Sequence, residues 1–560
     1  MYSESSNNNR PVLSPGYYLD NFMTLIDYVK SHYKDLLHPE ELAFTDDFKS
    51  LDQDARRLYV RLITRKGPCF RKDKIVYREI DNLEESLTEL RNRNFILLNP
   101  REDLEAALHT ITKPELAGMV SRSDRIELPD EIVYGGKQSV VLRLLEFDDR
   151  QIWDELEKEW NFIYPQHGRI IFLFFLLFFG NTDQSLSDFI LEEIGVLRYE
   201  PYTIRKEDRL FNDREVIDGF MFISEIRTKL LIAMEDNDVE MVTWLGTLLK
   251  ESAPADSIKR KFERIFTGIG RFLEKFGMYE EAIGYYKLSS VPPARERMIR
   301  VLDKIGRTEE ALSCIEGIIG CPADDEEEEF GRTFREKLKR KLGRPYTRIT
   351  REKFVTEIIP LEPVPGKKIE EIVLDYFTGI GTEGFYTENG IWTALFGLVF
   401  WNVIFMPVPE VFFNPFQRGP TDLFGPEFKE RREAAIVSCM EELDHDPEWK
   451  TGILDRYDEK FNTANLLVPW KRVGREQVIQ IMEWIPRKHI LEILQRMTGR
   501  LKDFRSGFPD LVVFDPPSGQ YKLVEVKGPG DQLRPNQKRW IRFFSEKGIP
   551  YTIIRVKWKD

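Results

Sequence analysis

A chain of 560 residues, 42% hydrophobic and 32% charged, is long enough for several domains and has the composition of globular protein rather than of a disordered or fibrous one. Its net charge of −13 argues against a surface that is basic all over, yet leaves room for local cationic patches. The four cysteines, Cys69, Cys314, Cys321 and Cys439, form no CxxC pair; with six scattered histidines they argue against a structural zinc site and fit a reducing compartment.

Residues 1–10 lack the apolar core of a signal peptide and read as a short disordered tail. Residues 16–66 place apolar side chains at helical spacing, as in Phe22, Leu25, Ile26 and Val29, so 1–65 is expected to be a helical N-terminal region. Residues 66–155 combine short helices with a basic segment between Arg56 and Arg78, where Arg65, Lys66, Arg71 and Lys72 flank a Gly-Pro turn. Lys113-Pro114-Glu115 is a Pro-initiated helix start. Two apolar runs, Ile170–Phe179 and Ile391–Val408, fall short of an uninterrupted span of about 20 residues and are expected to be buried core helices.

Residues 156–365 read as almost wholly helical. Lys275-Phe276-Gly277-Met278-Tyr279-Glu280-Glu281-Ala282-Ile283 is echoed by Lys304-Ile305-Gly306-Arg307-Thr308-Glu309-Glu310-Ala311-Leu312. Each unit predicts a helix, a glycine turn, and a helix opened by acids that complement its dipole. The pattern resembles a tetratricopeptide-like array, at a shorter period than is usual for one. The acidic run Asp324–Glu329 reads as a solvated loop, and the basic stretch Arg332–Arg351 either as a solvated helix face or as the border of a nucleic-acid path. Pro360–Lys368, with three prolines, reads as a linker.

A compact α/β domain is expected over 366–560. Ile391–Met406 and Glu476–Thr498 predict helices, Arg534–Glu546 an amphipathic helix, and Tyr551–Val556 a closing strand. Between them, Pro509-Asp510-Leu511-Val512-Val513-Phe514, a Pro516-Pro517-Ser518-Gly519 turn and Tyr521-Lys522-Leu523-Val524-Glu525-Val526-Lys527 predict a β-hairpin. Strand periodicity puts Glu525 and Lys527 on one face, with Asp510 across the hairpin. A Glu/Lys pair inside an apolar strand costs desolvation unless it has partners or a function. Two carboxylates and a lysine at one spot suit a hard cation, Mg²⁺ or Mn²⁺, with the Val526 carbonyl as a further oxygen ligand. Lys527 then orients a water or stabilises charge on a phosphate in flight. A further acid is expected just before the Ile391 helix, and Glu388 is favoured over Glu383. Residues 501–560 carry twelve Lys and Arg against seven Asp and Glu; Arg505 and Lys538 there join Arg65, Lys66, Arg71 and Lys72 as candidates for contacts with DNA phosphates.

The Pro-Asp…Glu-x-Lys hairpin resembles the active site of the PD-(D/E)xK nucleases. The strings Phe508-Pro509-Asp510-Leu511-Val512-Val513 and Lys522-Leu523-Val524-Glu525-Val526-Lys527-Gly528-Pro529-Gly530-Asp531 resemble the VRR-NUC branch, and Gln537 fits its following helix. Upstream, Tyr386-Thr387-Glu388-Asn389-Gly390, Met278-Tyr279-Glu280-Glu281-Ala282 and Leu58-Tyr59-Val60-Arg61-Leu62 extend the similarity to the Fanconi-associated nucleases.

That resemblance implies a mainly α multidomain protein with a C-terminal restriction-endonuclease-like domain: a helical region at 1–65, a SAP-type DNA-binding domain at 66–155, a tetratricopeptide-like domain at 156–365 and the nuclease at 366–560. It implies a 5′-flap endonuclease and 5′-to-3′ exonuclease in interstrand-crosslink repair, using Mg²⁺ or Mn²⁺. Glu388, Asp510, Glu525 and Val526 would bind metal, and Lys527 would act with Asp510 and Glu525 in catalysis. The partner would be DNA with 5′ flaps or branches, met by a monomer in the bacterial cytoplasm at the nucleoid, with no membrane. Larger family members carry a ubiquitin-binding zinc finger, for which this chain has no Cys/His cluster. Arg264, Arg295 and Arg297 are candidates for the family's 5′-phosphate pocket. The alternatives are a Holliday-junction-type resolvase and a non-catalytic DNA-binding scaffold.

Overall fold

The computed structural model describes residues 16–65, 67–129, 131, 135–181, 198–202, 204–252, 256–348 and 352–559. The expected N-terminal tail and Lys66 lie outside them. The chain divides into two compact units, 1–198 with 204–212 and 199–203 with 213–560.

The first unit is built on helices α1 (Tyr17–Tyr33) and α2 (Gln53–Ile63). The apolar stripe of α1 is buried: Phe22, Leu25, Ile26 and Val29. Asp52 caps α2 by accepting from the Asp54 amide. Three short strands, β1 (Phe70–Arg71), β2 (Ile96–Leu98) and β3 (Phe162–Pro165), form an antiparallel sheet in the order β1-β3-β2. Helix α3 (Lys113–Arg122) begins with the expected proline, inside a Thr112/Glu115 capping box. The apolar run becomes the buried helix α4 (Gly168–Phe179), packed on α1 through Phe178 and Tyr28. Among the described residues no helix is long and apolar enough to cross a membrane. Residues 156–181, grouped above with the helical middle region, belong to this first unit, because β3 completes its sheet.

In the second unit the repeat becomes successive helices: α5 (Asp256–Lys275), α6 (Tyr279–Tyr286), α7 (Ala294–Lys304), α8 (Thr308–Gly320) and α9 (Asp325–Lys341). The turn chemistry repeats with the sequence. Gly277 and Gly306 take φ of 78° and 87°, and the next amides reach back five residues, Met278 to Leu273 at 3.0 Å and Arg307 to Leu302 at 2.9 Å. The acidic run is not a loop. Asp324 caps α9, the acids fill its first turn, and three cations fill its last, so the charge order follows the helix dipole.

The C-terminal sheet has five strands: β4 (Thr356–Leu361), β5 (Glu383–Tyr386), β6 (Leu511–Asp515), β7 (Gln520–Lys527) and β8 (Tyr551–Trp558). Their order is β4-β8-β7-β6-β5, antiparallel from β5 to β7 and parallel from β7 to β4. The linker expected at Pro360 starts as β4, an edge strand where the missing proline N–H is tolerated. Two faces alternate along β7. Val524 and Val526 enter the core covered by helix α10 (Ile369–Gly379). Tyr521 and Leu523 enter the larger core with helix α11 (Gly390–Val399) and helix α12 (Pro535–Lys547). Glu525 and Lys527 continue the Leu523 face. The two long helices expected in this domain are each broken: at Phe400, before Trp401–Ile404, and at Pro486, between Arg475–Trp484 and Arg487–Gly499.

Candidate active site

The hairpin brings three of the predicted residues together, Asp510, Glu525 and Lys527, and the turn after β5 adds Glu388. Glu525 is 1% exposed and Lys527 9%. The Lys527 Nζ lies 2.6 Å from Glu525 Oε1, and the Gln537 amide donates to the same oxygen at 2.6 Å. Glu525 Oε2 is buried and has no hydrogen-bond partner. Across the hairpin, Asp510 Oδ2 accepts from the Val526 amide at 2.9 Å.

Glu388 is held by backbone. The amides of Thr387 and Glu388 donate to the Asp510 carbonyl at 2.8 and 3.2 Å, and the Thr387 hydroxyl donates to the Pro509 carbonyl at 3.0 Å. Its φ of 28° turns the chain from β5 into α11. The carboxylate does not cap α11; it accepts from the Tyr386 hydroxyl at 2.8 Å. Glu383 pairs with Phe514, at the opposite end of β5 from Asp510, and is set apart from the site.

The electrostatics suit a bound divalent cation. Burial pushes the Asp510 carboxyl up to about 6; the Val526 amide and Lys527 pull against it, and Glu370 and Glu388 add repulsion. Burial and then the Asp510 charge push Glu525 up to about 8, against the pull of Lys527. An unpartnered buried oxygen and two acids that resist ionisation are what a divalent ion would relieve. Among the described residues no three His, Cys, Asp or Glu side chains already converge on one point. The reason is visible in the bonds above: each carboxylate has turned an oxygen to a protein donor.

Two supporting residues were not expected as site members. Tyr386 holds Glu388. Gln537 holds Glu525 with its amide nitrogen while its oxygen caps α12, accepting from the Arg534 amide at 3.0 Å. The bond to the Arg534 amide is local, three residues back along the chain, whereas the contact with Glu525 spans 12 residues and no spacing rule reads it.

The cationic candidates divide. Arg65 is exposed, touches the Tyr77 hydroxyl and lies 5.1 Å over the Phe70 ring. Arg505 is exposed over Phe424, and Lys538 is half-buried. Lys72 is paired with Glu84 at 2.7 Å. Arg71 is interior, 3% exposed, and bridges Asp73 and Glu115. It ties β1 to α3 and has no hydrogen-bonding capacity left facing solvent. Arg71→Ala is expected to lower the stability of the first unit by about 2 kcal/mol, through the loss of its charged hydrogen bonds, while water solvates the partly exposed Asp73 and Glu115; urea unfolding of the variant checks this. Of the phosphate-pocket candidates, Arg295 is paired with Glu327 and Arg297 with Glu274, whereas Arg264 is exposed.

Residues 16–97 match the family model described as "FAN1, HTH domain", and residues 448–558 match the VRR-NUC domain. The Fanconi-associated nuclease 1 homolog of Pseudomonas aeruginosa is 29% identical, over 98% of this chain and 97% of its own length. The human Fanconi-associated nuclease 1 is 24% identical over 99% of this chain, which spans 64% of the human protein. A crystal structure of paFAN1 bound to 5′-flap DNA with a 2-nucleotide flap and a gap superposes with a TM-score of 0.89 and 28% identity, covering 98% of this chain and 100% of that one.

Proposed function

The chain belongs to the Fanconi-associated nuclease family and carries its VRR-NUC domain, and on that premise we propose that it is a Mg²⁺- or Mn²⁺-dependent structure-specific DNA nuclease. It cuts 5′-flap DNA and degrades from 5′ to 3′ in interstrand-crosslink repair. Its domain order is a helical N-terminal region, a SAP-type DNA-binding domain, a tetratricopeptide-like array and the nuclease. It works as a monomer in the bacterial cytoplasm. The observation that carries this reading is Glu525: a carboxylate 1% exposed, held on one oxygen by Lys527 and Gln537 and orphaned on the other.

Asp510, Glu525 and Glu388, with the Val526 carbonyl, would hold the ion, an all-oxygen set suited to Mg²⁺ or Mn²⁺. A divalent ion bound there supplies Lewis-acid polarisation of the phosphate and a water acidic enough to attack at neutral pH. Gln537 fixes the Glu525 carboxylate, so its free oxygen keeps one direction. Lys527 sets a positive charge beside the reacting phosphate, where it orients the attacking water and offsets charge developing on the phosphate oxygens. Arg505 and Lys538 neutralise flanking phosphates without reading bases, and Arg65 gives the first unit a phosphate contact of its own.

The test is cleavage of end-labelled 5′-flap DNA with and without metal. Cleavage is expected only with Mg²⁺ or Mn²⁺. Apparent metal affinity should fall as the pH drops below about 8, because protons then occupy Glu525 in the metal-free protein, and fall again below about 6, where Asp510 is protonated. Metal-independent cleavage, or an affinity flat across that window, contradicts the assignment.

A further inference from the structure

A cavity of about 980 Å³ adjoins the catalytic face, walled by α9, residues 347, 348, 352–354 and 356, β8, residues 532 and 533, and α12. The sheet register fixes its position. Ile553 and Arg555 on its wall are the cross-strand partners of Glu525 and Lys527. Lys538 on its wall follows Gln537, whose amide holds Glu525.

The charges on this wall do not balance. Its three carboxylates are in use. Glu329 and Glu352 face Arg542 at 3.6 and 2.8 Å. Glu336 takes Arg335 at 3.0 Å and the Thr347 amide at 2.6 Å. Five further cations, Arg332, Arg348, Lys353, Lys538 and Arg555, line the cavity without an ion pair to any described carboxylate. Arg555 reaches only the Asp531 carbonyl, at 3.1 Å. Phe354 and Leu533, both half-buried, set apolar surface between them.

Surplus cations interleaved with apolar side chains suit a single strand, whose phosphates need neutralising and whose bases need covering. The volume lies at the upper end of the roughly 300–1,000 Å³ typical of small-ligand sites, room for a short run of nucleotides. We infer that this cleft holds single-stranded DNA by its phosphates, as the strand runs on from the scissile bond. The inference rests on the nuclease reading above and adds a track for the strand beyond the cut.

The variant that tests it is Arg348→Glu/Lys353→Glu. Both side chains are exposed and neither makes a hydrogen bond or ion pair with a described residue, so folding is not at stake. Affinity of the full-length protein for fluorescent oligothymidine in EDTA is measured against salt, beside single-turnover cleavage of a short and a long 5′ flap. The expected result is binding about tenfold weaker, with the salt slope shallower by about 0.7 for each phosphate no longer neutralised. The long flap is cut correspondingly more slowly and the shortest flap at the parent rate. Unchanged affinity and slope, or equal losses on both flaps, overturns the inference. Thymidine triphosphate binding the parent as tightly as the oligomer, and losing as much on substitution, would mark a small-anion site and overturn it too. If the parent shows the predicted oligothymidine dependence yet cuts no flap, the nuclease reading fails while the single-strand cleft stands.

Discussion

Glu525→Gln is expected to cut labelled 5′-flap DNA at least about 10³-fold more slowly than the parent, since several kcal/mol of metal-derived stabilisation is lost. Flap binding measured in Ca²⁺-free buffer should stay the same, because none of the DNA-facing cations is touched. Glutamine separates the chemistry from the packing here. Its carbonyl oxygen can still accept from Lys527 and Gln537, which share Oε1. Its NH₂ replaces Oε2, the oxygen that no protein group satisfies, and an NH₂ cannot ligate a cation. Metal-free stability sharpens the test. The Glu525 carboxyl is raised to about 8, so its contribution to stability is full below the ordinary carboxyl value and is lost as pH rises through about 8. The variant should lack that loss, melting no lower than the parent at pH 8.5. Asp510→Ala should share the catalytic defect. Parent-like cleavage in Mn²⁺ by either variant would sink the site.

The sequence and the fold meet most closely at this hairpin. Period-two alternation puts Glu525 and Lys527 on one face, and a Pro-Asp start followed by a Pro-Gly turn leaves little choice of register. Such signals are local, so they survive reading one residue after another. Glu388 depends on long-range pairing: its place beside Asp510 comes from amides bonding across 122 residues, which spacing does not encode. The same limit explains β3. Phe162-Ile163-Tyr164 is a short β-forming run ended by Pro165, but in a helix-rich stretch only its partners at Phe70 and Ile96 make it a strand. Of the two helix breaks, Pro486 was visible and Phe400 was not.

Charge reads least well of all. The segment from Arg56 to Arg78 looks like one cationic patch in sequence, yet Arg71 is consumed by Glu115, 44 residues on, and Arg61 by Glu79. A run of basic residues counts charges without counting the carboxylates that folding brings to them. The cleft beside β8 shows the opposite case. Its cations come from α9, the segment before β4, α12 and β8; the basic stretch Arg332–Arg351 shows Arg332 and Arg348 in sequence, and only the fold brings Lys353, Lys538 and Arg555 beside them.

Lys527→Ala is expected to slow single-turnover cleavage by about 10²–10³, the usual cost of one preorganised electrostatic stabiliser, while leaving a metal site at high pH. The two effects can be separated because Lys527 acts on Glu525 as well as on the reacting phosphate. Its charge holds the Glu525 carboxyl below where burial alone would put it. Without it, the proton on Glu525 is harder to displace, so Mn²⁺ affinity in the variant should weaken at neutral pH and recover in more alkaline buffer. At saturating Mn²⁺ and alkaline pH only the loss on the phosphate remains, and the rate defect should persist there. Calorimetric Mn²⁺ titration across pH, run beside single-turnover cleavage, reads both. A variant whose rate returned to that of the parent once metal was saturated would make Lys527 a tuner of Glu525 and remove it from the chemical step. A variant that bound no metal at any pH would make it part of the metal site.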